Sequence, residues 1–168
     1  LGGDRLFMTT RCQGGEAQEL YSTRYSTISE DGGMTWSDAE PLLYDDGSQV
    51  HTPASVSAFH TNSRTGKTYW VGNILDAPVH GQVPRYPLKF AEFDPSRPCL
   101  IKDTVRLIQG KPEDAHEHVR YTNFGSYEDR ESGHLTITLP EQYRNRGWDE
   151  MEEPEQFAAD CVKYVVEL

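Results

Sequence analysis

The sequence predicts an all-β protein built from short antiparallel strands, and three observations lead there. Segments such as Leu20 to Ile28 (LYSTRYSTI) and Thr68 to Ile74 (TYWVGNI) alternate or concentrate β-branched and aromatic residues. Turn residues punctuate these segments throughout: the 168 residues include 14 Gly and 10 Pro, and the mean hydropathy is -0.71. The third observation is a repeat. SRTGKTYWVGN around Gly66 and RESGHLTITLP around Gly133 each place a Gly turn before a strand, 67 residues apart. Four strands of about 5–6 residues, with their loops, fill such a period.

The elements follow in order. Leu6 to Thr10 is the first strand and Leu20 to Ile28 the second. The octet SEDGGMTW, Ser29 to Trp36, is a hairpin: Gly32 and Gly33 tolerate positive φ, and the Asp31 carboxylate can accept the N–H groups that a tight turn leaves free. Trp36 restarts the chain as an apolar anchor before a strand at Glu40 to Tyr44. The loop DDGSQ leads to Thr52 to Phe59, the hairpin HTNSRTGK and Thr68 to Ile74. After the long loop LDAPVHGQVPRYP come Lys89 to Phe93, the turn DPSRP and a strand at Thr104 to Ile108. The loop QGKPEDAHEH precedes Arg120 to Tyr127, the hairpin EDRESGH, Leu135 to Leu139 and, past an acidic loop, Cys161 to Val166.

A generic hairpin accounts for Gly32 and Gly33 but not for Ser29, Asp31, Thr35 and Trp36 at these offsets. Together they match S-x-D-x-G-x-T-W, the Asp-box of the bacterial neuraminidase repeat, and on these residues the chain resembles the sialidase superfamily. The resemblance implies a partial six- or seven-bladed β-propeller of four-stranded antiparallel blades, with the Asp-box as a structural marker between the third and fourth strands of a blade. The strands then divide into approximate blades 1–44, 45–110 and 111–168 of a single partial domain, read B-C-D, A-B-C-D and A-B-C. FDPSRPCL, which keeps Asp94 without the Gly and Trp, is a degenerate box. Such a chain is a C-terminal fragment that exposes strand edges or associates with another copy through them. The competing architecture is an open β-sandwich, which shares short strands at regular spacing.

Bulk composition narrows the partners. A net charge of -11, from 27 acidic against 16 basic residues, argues against nucleic acid. No apolar run approaches the roughly 20 residues of a membrane span. The start, LGGDRLFM, has neither a Met nor a signal-peptide layout, which reads as a chain cut or processed from something longer; the compartment stays open, with secretion or the periplasm as candidates. Cys12, Cys99 and Cys161 are odd in number and widely spaced, so they read as buried free thiols.

Chain direction sorts the polar residues. A-B and C-D turns share one end of a meander, and B-C and D-A loops share the other, which in the family is the active face. The Asp-box end receives His60, Arg64, Glu128, Asp129, Arg130, Glu131 and His134. The long-loop end receives Arg11, Gln13, His51, Asn73, Asp76, His80, Arg85, Tyr86, Glu113, Asp114, His116, His118 and Arg120, with Glu141 and Tyr143 beyond. Arg85 and Tyr86 stand out because Pro84 and Pro87 bracket them and stiffen the backbone. Arg suits bidentate carboxylate binding, and Tyr suits sugar stacking or proton transfer. His116 and His118 could join His51 or His80 in a metal site, but an isolated H-x-H in a loop reads as hydrogen-bonding histidines, and neither metal nor cofactor is expected. Tyr127, at the far end of its strand, reads as core.

The resemblance implies a sialidase-like exo-glycosidase acting on an acidic glycan. Tyr86, His80 and His51 are the expected acid–base residues; Arg85, Arg120, Asn73 and Arg11 are the expected substrate contacts. The family's Arg-Ile-Pro segment is absent from this chain, and its Tyr/Glu nucleophile pair has no residue-by-residue match. Two alternatives stand beside hydrolysis: a uronate-type polysaccharide lyase and a non-catalytic carbohydrate-binding propeller.

Overall fold

Residues 2–152, 155 and 158–168 are described by a computed structural model. It is all-β: three antiparallel sheets follow one another along the chain. Among the described residues no helix is long and apolar enough to cross a membrane. Among the described residues single 3-10 turns lie at Glu16–Gln18, Lys102–Thr104 and Trp148–Glu150.

The first sheet holds β1 (Leu6–Cys12), β2 (Thr23–Ser29) and the short β3 (Glu40–Pro41), in that order. The second holds β4 (Ala58–Thr61), β5 (Thr68–Asn73) and β6 (Leu88–Asp94), followed by β7 (Cys99–Leu100) and β8 (Arg106–Gln109). Both β7 and β8 pair with β6, at opposite ends of it, so they are two halves of one interrupted fourth strand. The third sheet holds β9 (Arg120–Tyr121), β10 (Gly125–Glu128), β11 (Leu135–Gln142) and β12 (Asp160–Val166). Three sheets replace the two that a sandwich would need.

Burial explains how they stack. Along β5, Val71 packs toward the third sheet with Leu88, Leu135, Ile137 and Leu139. Trp70 and Ile74 pack the other way, with Leu42, Ala91, Phe93 and Leu100. Side chains alternate across a strand, so the middle sheet is covered on both faces, which is why TYWVGN is apolar without alternation. Gly72 permits this: a Cβ there would lie 2.5 Å from the Trp70 ring.

The repeat has a structural basis. Asn62 and Asp129 occupy the same place in their hairpins, 67 residues apart. The Asn62 side-chain oxygen accepts the N–H groups of Arg64 and Thr65, while Asp129 accepts those of Glu131 and Ser132. The two turns touch, because the Asn62 amide donates to the Gly133 carbonyl at 2.9 Å.

The octet folds as its chemistry requires. Asp31 accepts the Thr35 N–H at 2.9 Å and hydroxyl at 2.7 Å, together with the Ser29 hydroxyl at 2.8 Å. Ser29 Oγ in turn accepts the Gly33 N–H, and Gly32 and Gly33 take φ of 73° and 94°. Trp36 stays on the surface, donating its indole N–H to the Gly33 carbonyl at 3.1 Å.

Several expectations need correction. Leu20 and Tyr21 lie in a loop before β2, because Ser22 ties the chain to Val79 and Gly81 through its N–H and hydroxyl. Residues 52–57 form no strand; Pro53 lacks an N–H, and the segment threads the interior instead, with the Ala54 N–H on the Gly81 carbonyl. The expected strand from Arg120 to Tyr127 is broken, with Asn123 at φ 54°. Tyr127 is not core: it pairs with Thr136 on the outward face of the third sheet and is 53% exposed. The thiols are free, as expected, but none is buried, and Cys161 is exposed. Among the described residues β1 and β12 are each paired along one edge only.

Candidate functional site

The loops assigned to one end of the strands do meet there. The first long loop bonds the second through Gly81 N–H to the Gly14 carbonyl at 3.0 Å and Gln82 to Gln13 at 3.1 Å. The second reaches the third sheet through a bridge between Arg85 and Arg120, in which the Tyr121 N–H donates to the Arg85 carbonyl at 2.9 Å.

Four arginines gather at this end. Arg11 and Arg24 face one another across β1 and β2 and so lie on the same side of their sheet. That side faces the second sheet, since Phe7, four pairs along and so on the same face, packs on Phe59 and Phe93. Arg24 is 5% exposed and donates to the Ser55 carbonyl. Arg85 is 8% exposed and donates to Gln82, from Nη2 to Oε1 at 2.5 Å and from Nε to the carbonyl at 3.1 Å. Arg120 lies over the Tyr143 ring, 4.7 Å from its centre, where Tyr143 takes φ 56°.

The charges act on one another. Burial and then Arg11 push Arg24 down to about 10, from 12.5. Arg85 is lowered by burial, then by Arg120 and Arg11. Among the described residues none of the four pairs with a carboxylate, although other arginines in the chain do. The Nε atoms of Arg24 and Arg120 are buried without a hydrogen-bond partner. A concentration of positive charge favours an anion, and planar guanidinium groups match carboxylate geometry.

Of the expected site residues, Arg11, Arg85 and Arg120 come together. Tyr86 packs partly into the core beside Arg85, and both line a cleft of about 360 Å³ with Pro84, Glu117, His118 and Val119. The peptide bonds before Pro84 and Pro87 are both cis. The other three lie apart from this cleft. His51 lines a separate cleft of about 400 Å³ between the first two sheets, with Tyr44, Lys89 and Lys102. His80 stacks on Tyr21 at 4.6 Å and bonds the Leu20 carbonyl at 2.8 Å, which clips two loops together. Asn73 is buried and donates to the carbonyls of Pro87 and Tyr121 at 3.2 and 3.1 Å.

Two features escaped the sequence reading. Arg24 sits mid-strand among Thr, Ser and Tyr, and its only signal was an unaccompanied cation in an otherwise half-buried segment. Tyr121 donates its hydroxyl to Glu141 Oε1 at 2.8 Å, a Tyr/Glu pair made by residues 20 positions apart on paired strands. That tyrosine is fully buried, and burial followed by the Glu141 bond pushes its pKa far up, the reverse of an activated nucleophile. Comparison with protein-family models, curated proteins and solved structures finds no match to this chain.

Proposed function

We propose that this chain is part of a sialidase-like β-propeller that acts on an acidic glycan and grips a sugar carboxylate with Arg11, Arg24, Arg85 and Arg120. The observation that carries this reading is the cluster of four arginines without a carboxylate partner among the described residues, two of them almost fully buried, in a chain of net charge -11. The propeller reading is supported by three consecutive antiparallel sheets, a middle sheet covered on both faces and the Asp-box hairpin. Hydrolysis is the reaction that the family resemblance implies. It needs a nucleophile or a pair of carboxylates at the scissile bond.

A second reaction fits the same site. Tyr121 is fully buried with its hydroxyl committed to Glu141, and an arginine-bound carboxylate acidifies the hydrogen on the neighbouring carbon, which favours elimination from a uronate. Calorimetric titration with N-acetylneuraminic acid, glucuronic acid and galacturonic acid, against glucose, tests the common premise. An acidic sugar binds and glucose does not. Arg85→Ala and Arg120→Ala each weaken binding by about 10- to 150-fold, the worth of a charge-assisted hydrogen bond. Equal affinity for glucose, or affinity indifferent to both substitutions, refutes the proposal. The products separate the reactions: elimination leaves an unsaturated sugar that absorbs in the ultraviolet, and hydrolysis does not.

A further inference from the structure

We propose that His118, oriented by Asp149, is the proton-accepting base of the Arg85 cleft. This rests on the acidic-glycan reading and selects elimination within it. His118 lines the same cleft as Arg85 and Tyr86. Its Nδ1 is buried, has no hydrogen-bond partner, and lies 3.4 Å from Asp149 Oδ1. The ring is nevertheless 31% exposed, so its open edge carries Nε2. A carboxylate 3.4 Å from Nδ1, close but not hydrogen-bonded to it, favours the imidazolium that forms when Nε2 takes a proton.

The surroundings fix this arrangement. Gly147 presses against the pair: a Cβ there would fall 2.5 Å from His118 Nδ1 and 2.6 Å from Asp149 Oδ1. The neighbouring His116 is committed elsewhere. Its Nδ1 accepts the His118 N–H at 3.1 Å, so in the neutral ring Nε2 carries the hydrogen, toward Glu150 at 3.7 Å. An Nδ1 used as an acceptor also disqualifies His116 as an ordinary Nε2 metal ligand, which normally carries a hydrogen on the other nitrogen. Among the described residues the titratable and charged groups around His118 are Asp149, His116, Glu117, Tyr86 and Arg85, with Glu150 against His116.

The step is a β-elimination. Arginine binds the uronate carboxylate, His118 Nε2 takes the hydrogen from the adjacent carbon, and the C–H electron pair forms the new C=C bond. The bond to the leaving glycosidic oxygen breaks, that oxygen takes a proton from water, and the imidazolium later returns its proton to solvent. No oxidant or reductant is consumed.

The test uses the chain as it stands, with galacturonic acid and glucuronic acid as binding probes and polygalacturonate and hyaluronan as substrates. NMR should show the His118 ring signals moving as an acidic sugar is added, with the ultraviolet-absorbing product formed on one polymer. His118→Gln lowers that rate on the order of 10²- to 10⁴-fold while sugar affinity stays within a few-fold. Asp149→Asn and Gly147→Ala lower kcat more than they raise KM, and Asp149→Asn also moves the acid limb of the pH–rate profile. If an acidic sugar binds through Arg85 but the His118 signals stay still, or product forms unchanged in His118→Gln, the role assigned to His118 is overturned and the glycan reading stands. If a sugar binds and neither polymer yields unsaturated product, elimination is overturned. If no acidic sugar binds, both readings fall.

Discussion

Replacing Arg24 by Met should leave the empty protein as stable as before, or more so, while abolishing its response to an anion. The fall of the Arg24 guanidinium from 12.5 to about 10 is a cost on the order of 3 kcal/mol of keeping it charged in the folded state, at about 1.4 kcal/mol per tenfold. Met fills similar space without charge and removes that cost. It also leaves the Ser55 carbonyl without its donor, a loss of about 1–3 kcal/mol. The net expectation is a gain of about 0–2 kcal/mol, read by urea unfolding. Below about pH 10 both folded and unfolded states hold the proton, so this difference is flat with pH. Between about 10 and 12.5 the unfolded state binds the proton longer, and wild-type stability rises with pH through that window. Galacturonate at about 100 times its Kd should add about 2.7 kcal/mol to the wild type and much less to Arg24→Met. A loss of more than about 2 kcal/mol in Arg24→Met without sugar, or an undiminished gain with it, refutes an anion site in which Arg24 takes part.

Two further predictions concern the scaffold. Hydrogen bonds from Thr35, and then from Ser29, hold the Asp31 carboxyl down to about 2, so its stabilising effect is present above about pH 4 and is lost as pH falls toward 2. Asp31→Asn should therefore flatten that part of the curve of thermal midpoint against pH, and parallel curves would show that the turn does not depend on the charge. Asn62→Ala breaks the buried link to Gly133 and the turn bonds to Arg64 and Thr65, for a loss of about 2–3 kcal/mol or roughly 4–12 °C in Tm. A change under 1 °C in a calorimetric scan would remove that turn from the set of inter-sheet contacts.

Most of the strands were legible because alternation and turn chemistry are local. β5, β6, β11 and β12 lie close to their expected positions, and the Asp31 hairpin forms the bonds its residue types imply. Failures occurred where tertiary contacts outrank local pattern. Residues 52–57 look extended, but Pro53 and the neighbouring loop draw them inside. The fourth strand of the second sheet is cut by the turn at Lys102–Thr104, where the Thr104 hydroxyl donates to the Ile101 carbonyl at 2.6 Å. At the site, chain direction sorted Arg11, Arg85 and Arg120 to one end, yet it could not tell a loop clip from a ligand contact. His80 and Asn73 are clips because carbonyls from other loops reach them first, a fact of three-dimensional proximity with no trace in their own sequence neighbourhood.

The four-arginine cluster is informative because four arginines elsewhere in the chain do meet a carboxylate. Arg5 meets Glu30, Arg97 meets Asp94, Arg144 meets Asp114 and Arg146 meets Glu155. With 27 acidic residues available, bare cations at one end are not a shortage of carboxylates. Many of those acids are held by backbone N–H groups in turns: Asp31, Asp46, Asp94 and Asp129 each accept them and cannot also reach a distant guanidinium. Like charges brought together and partly dehydrated destabilise a fold unless something of opposite sign joins them. A sequence that needed only structural integrity could place an acid opposite Arg24 or a Leu in its stead. Keeping the cations together and unpaired makes physical sense if the missing carboxylate arrives on a ligand, which is why loss of anion response, rather than loss of stability, is the decisive readout.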